Sequence, residues 1–143
     1  MPLLRELVAQ LDGVEGPQGW IASLRFGLAG ALAHLGDIES ALPVFRRLVA
    51  QNPQHAWGWI GLVEALHTSG DAAAAVEAGR DALRHLPRNR VLWNRTARAL
   101  RDHEGPGAAA GFFAPALDAE ASPRDLGFAI SLFREAGQAA QAA

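Results

Sequence analysis

The chain has no cysteine, no lysine and no long apolar run. Each absence removes a class of explanation. Without cysteine there is no disulfide framework and no thiolate nucleophile, and a reducing compartment is the expected setting. Half of the residues are hydrophobic, yet no stretch approaches the roughly 20 apolar residues that a membrane-spanning helix requires. The N-terminus meets charge at Arg5 and Glu6 before any signal-peptide core develops. A cytoplasmic location with no membrane partner is therefore expected. The net charge of −2 argues against nucleic acid, which is held by a basic surface. Strand signals are missing too, because β-branched residues are few and nothing alternates with period two. Since lysine is absent, all 13 basic residues are arginine, which favours planar, bidentate contacts to carboxylate or phosphate.

What the chain does have is a period. Pro53 and Pro87 lie 34 residues apart, and the residues before them match in one register. Leu28 pairs with Leu62, Leu32 with Leu66, Gly36-Asp37 with Gly70-Asp71, and Ala41 with Ala75. A fixed period of this size marks a solenoid of supersecondary units, each too small to bury its own apolar face. The spacing within a unit is helical, as in Leu24, Leu28, Leu32 and Leu35. Gly36-Asp37 reads as a stop and a restart between antiparallel helices, with glycine past one helix end and aspartate capping the next. Asn52-Pro53 and Leu86-Pro87 end the second helix of each unit, because the residue before proline is pushed out of the helical region.

The unit resembles the tetratricopeptide repeat, a 34-residue helix-turn-helix with small and aromatic residues at set offsets. Residues 22–55 match through Leu28-Ala29, Leu32, Ala41, Phe45 and Pro53, with Arg25 where tryptophan is usual. Residues 56–89 match through Trp59, Leu62, Leu66, Ala75, Ala82 and Pro87, with Gly79 in place of a large aromatic. Trp59 or Trp93 is expected to lean into the space that Gly79 vacates. Residues 90–122 form a degenerate third repeat through Trp93, Ala97, Leu100, Ala109, Phe113 and Ala116, joined by a looser turn at Glu104-Gly105-Pro106-Gly107. Residues 123–143 read as a fourth first helix with the start of a second, or as a C-terminal cap, and residues 1–21 as an N-terminal capping helix. The resemblance implies an all-α, right-handed α-solenoid of antiparallel helix pairs. The alanine and arginine bias points to a GC-rich bacterial source.

In this family the first helix of each pair lines a concave face that takes a protein or peptide. Carried over, that face holds Phe26, Gly30, Trp57, Ile60, Glu64, Asn94, Arg95, Arg98 and Arg101. Phe26, Trp57 and Ile60 are the expected apolar anchor, beside glycines, Gly61 among them, that let a ligand backbone come close. Arg95, Arg98 and Arg101 form a ladder on one helical face, suited to an acidic or carboxylate group. The lysine and asparagine pattern with which chaperone-binding members hold a C-terminal carboxylate is not reproduced. No nucleophile elbow, zinc-protease motif or phosphate-cradling loop is present, so neither an enzyme nor a cofactor or metal site is expected. Two alternatives stand beside the groove. The chain reads as the N-terminal recognition arm of a longer bacterial enzyme, such as a glycosyltransferase, or as a homodimer built through its open C-terminal end, where Phe128, Leu132 and Phe133 lack a partner helix.

Overall fold

The structure, a computed structural model, describes residues 2–11, 18–118 and 120–142. Among these residues there are eight α-helices and no strand. They are α1 (Pro2–Leu11), α2 (Gln18–His34), α3 (Ile38–Gln51), α4 (Ala56–Thr68), α5 (Ala72–His85), α6 (Arg90–Glu104), α7 (Pro106–Phe113) and α8 (Pro123–Ala142). A 3-10 turn at Ala114–Ala116 follows α7. Helices α2 and α3, α4 and α5, and α6 and α7 pack as antiparallel pairs, and each pair stacks on the next. This is the all-α solenoid that the period implied. Residues 12–17 of the expected N-terminal cap, and the last residue, lie outside the described residues.

The turns are built by the residues the sequence singled out. Gly36 and Gly70 hold φ at 85° and 93°, a left-handed conformation that glycine adopts without steric cost. Asp37 then caps α3 through the Ser40 amide at 3.3 Å, and Asp71 caps α5 through the Ala74 amide at 3.1 Å. Between pairs, a tryptophan fastens the proline loop. The Trp59 indole donates to the Pro53 carbonyl at 2.8 Å, and the Trp93 indole to the Pro87 carbonyl at 2.9 Å. In the first repeat Arg25 takes the tryptophan position and is buried, bonded to Gln51 at the end of α3. Helix α1 lays Leu4 and Val8 against the core and leaves Leu3 and Leu7 exposed. Its Arg5 pairs with Asp37 at 2.9 Å and holds that carboxyl below its usual range.

Two expectations are corrected. The third turn is tighter than the Gly-Asp turns, because Gly105 alone, at φ 101°, separates α6 from α7. The space beside Gly79 is filled by Thr96 on α6, not by a tryptophan. A Cβ at Gly79 would come well inside 3.0 Å of the Thr96 side chain. Thr96 is fully buried and its hydroxyl has no hydrogen-bond partner among the described residues. The threonine side chain, its hydroxyl foremost, takes the place of the missing ring, at the cost of burying a hydroxyl that wants a partner.

Gly79→Ala should therefore lose stability despite alanine's higher helix propensity. Overpacking of this kind costs about 1–3 kcal/mol, against a propensity gain of about 1 kcal/mol. Adding Thr96→Ala to Gly79→Ala should recover most of the loss. Urea unfolding midpoints of the two variants measure both effects.

Candidate functional site

The first helices α2, α4 and α6 contact one another along the chain, and side chains carry that layer on to α8. Glu64 on α4 pairs with Arg95 on α6. His67 meets Asp102 at 2.5 Å, and Arg101 reaches Glu135 on α8 at 3.6 Å. The result is one face with an apolar end and a cationic end.

At the apolar end, Trp57 sits in the first turn of α4 and is 60% exposed. Phe26 is half-buried and tilts against the His55 ring at 5.7 Å. Its neighbours Gly27 and Gly30 have open space where a Cβ would stand, so the surface there is low. Ile60 is placed differently from the expectation. It is 4% exposed and belongs to the hydrophobic core, because the helix turns it toward the neighbouring pair. Gly61 is likewise a packing residue, since a Cβ there would strike the Phe45 ring. Trp57 and Phe26 are the accessible aromatics of the set.

At the cationic end the three arginines of the ladder differ. Arg95 is neutralised by Glu64, and Arg101 by Glu135, with Asp102 at 3.9 Å. Arg98 has no carboxylate within 4.0 Å among the described residues. Its Nε donates to Asn94 Oδ1 at 2.8 Å, and its guanidinium lies 4.6 Å from the centre of the Phe128 ring. Phe128 is itself buried and set edge-on to Phe113 at 5.1 Å. Asn94 is 7% exposed, so it acts beneath the surface as the bracket that aims Arg98 and, at 3.2 Å, Arg95. Burial, together with the charges of Arg95, Arg101 and Arg124, lowers the guanidinium pKa of Arg98. The group stays charged at any ordinary pH. Arg90, Val91, Asn94, Arg95, Ser122, Arg124 and Asp125 line a cleft of about 250 Å³, in which Arg90 is paired with Asp125 at 3.6 Å. Arg124 comes from the first turn of α8 and so lies outside the ladder's own spacing.

A tetratricopeptide repeat model matches residues 22–65. Over residues 22–65 the chain is thus similar to the tetratricopeptide repeat. A TPR repeat-containing protein of Pseudomonas aeruginosa, PA0015, is 39% identical over 62 residues, covering 43% of this chain and 59% of that relative. The chain thus matches little more than half the length of this relative. Among solved structures, the TPR domain of Sgt2 from Aspergillus fumigatus superposes with a TM-score of 0.72 at 15% identity, over 84% of this chain and 82% of that one. YrrB, described as a TPR protein with an unusual peptide-binding site, gives 0.66 at 18% identity, over 85% of this chain and 59% of that one. At such identities the tetratricopeptide repeat structures speak for the fold.

If Asn94 aims Arg98, then Asn94→Ala should lower the melting temperature and free the Arg98 side chain, whereas Arg98→Gln should leave the melting temperature within a few degrees of the parent. Removing a hydrogen-bonded buried amide costs about 1–3 kcal/mol, while a surface substitution stays within about 0.5 kcal/mol. Thermal unfolding of the two variants tests the assignment.

Proposed function

We propose that the chain is a protein-binding module whose face of first helices takes an acidic segment of a partner. Trp57 and Phe26 receive an apolar residue, and Arg98 with Arg124 receives a carboxylate or phosphate. The observation that carries this reading is Arg98. A guanidinium that is held in place, set over an aromatic ring and without a carboxylate within 4.0 Å among the described residues is half of a bidentate ion pair. Aromatic and arginine side chains are also the residue types enriched at contact surfaces. Glu64, Arg95 and Arg101 neutralise one another or their neighbours, and serve as the rim of the site.

A titration with an acidic peptide that contains one leucine or phenylalanine tests the proposal. Arg98→Gln should weaken binding by about tenfold, the value of one charge-assisted hydrogen bond. Arg95→Gln, whose charge is already met by Glu64, should change it by less than about threefold. Equal losses from both variants would reduce the site to general electrostatic attraction.

A second reading rests on α8, where Phe128 and Leu132, expected to lack a partner helix, are buried, with Phe128 against Phe113 of α7, while Phe133 is exposed. Residues Leu126, Ile130 and Phe133 lie 33 positions after Trp93, Ala97 and Leu100. On α6 Trp93 packs on Phe112 of α7 and Ala97 and Leu100 are buried, whereas the α8 positions are 47%, 57% and 54% exposed. We infer that a second copy of the chain covers them by packing α8 on α8. The pairing is expected to be weak, because three side chains supply far less than the roughly 800 Å² per partner of a stable interface. Ile130→Glu should shift a concentration-dependent dimer to monomer in sedimentation, and concentration-independent monomer in the parent would remove this reading.

A further inference from the structure

The second helix pair has a slot that the third pair fills. In the third pair, Phe112 on α7 packs against Trp93 with ring centres 4.9 Å apart. The same positions in the second pair, 34 residues earlier, hold Ala78 and Trp59. The ring is missing, and the indole of Trp59 is instead stacked on His85 at 5.9 Å. Beside them lies a cleft of about 430 Å³ between α3 and α5. Trp59 and Leu62 form part of its floor, Val49 stands on the α3 side, and Ala78 leaves the α5 side low.

The slot is on the second helices and is separate from the arginine face. Its rim is charged unevenly. The α5 wall presents Glu77, which has no ion-pair partner among the described residues, and Asp81, which is paired with Arg84 at 3.2 Å. The α3 wall presents Arg46. With Asp81 met by Arg84, Glu77 is the carboxylate left to favour a cation on the α5 side.

We propose that this slot is a second binding site, which takes an aromatic side chain of a partner polypeptide with a basic group beside it. The ring occupies the place that Phe112 fills in the next repeat, over Trp59 and Leu62, and the cation lies against Glu77. An aromatic ring is the shape the fold itself uses at this register. The apolar floor with a few polar groups at one edge is the usual make-up of a side-chain pocket.

The test is an NMR titration of the full chain that follows the Trp59 indole N–H, with phenethylammonium and phenylacetate as probes. Phenethylammonium should shift this signal, and bind about threefold more tightly than phenylacetate, as expected for an exposed ion pair. Ala78→Phe should fill the slot and abolish the shift. Glu77→Gln, at an exposed position that does not threaten folding, should erase the preference between the probes. A Trp59 signal that ignores phenethylammonium, a preference for phenylacetate, or a response that survives Ala78→Phe would each overturn the proposal. Since neither probe depends on Arg98, failure here would leave the arginine face untouched.

Discussion

The fold depends on how closely the second helix of each pair can approach the first. Ala41, Ala75 and Ala109 recur every 34 residues and are all fully buried. A methyl group is all that fits at that crossing. The larger side chains, Leu32, Leu48, Val63, Leu92, Leu100 and Phe113, are then driven into the seams around it. Burying each of these contributes about 1.5–3 kcal/mol, and none of it is available to a single pair alone. Stacking is what closes the seams, which is why the repeats stand or fall together. The same crossing sets the first helices side by side, and so creates the face on which Trp57 and Arg98 sit.

That face is best understood by asking which charges are already met. The ladder of arginines is regular along α6, but its surroundings are not. Glu64 answers Arg95 from one neighbouring helix and Glu135 answers Arg101 from the other. Arg98, between them, finds an amide and a ring among the described residues. Two neutralised arginines contribute little net attraction once solvent and salt screen them. The middle one is held from below by Asn94.

Much of the fold was legible in the sequence because it is repeated. Gly36-Asp37 and Gly70-Asp71 announce their turns twice, and Pro53 and Pro87 mark their loops twice, so register does the work that a single motif cannot. What resisted reading was local exchange between neighbours. Thr96 fills the space beside Gly79 because α6 of the next repeat leans across, a contact with no signature in either segment. Ile60 was placed on the binding face by its offset, but a small rotation of α4 is enough to bury it. Gly61 looked like room for a ligand and is room for Phe45. The difference between Arg95 and Arg98 also lies outside the ladder's own spacing, since it turns on carboxylates supplied by α4 and α8. The long α8 could not be divided from sequence, because Gly137 suits either a turn or a solvent-facing helix position.

The most direct test of the arginine face is to observe the three guanidinium groups separately while an acidic peptide is added. Arginine Nε–Hε signals, assigned by single substitution, report each group in the intact chain. The Arg98 signal should move most and saturate with the peptide, while those of Arg95 and Arg101 hold their positions. If Arg95 and Arg101 move and Arg98 stays still, the ion pairs with Glu64 and Glu135 are the ones that open, and Arg98 is not the receptor.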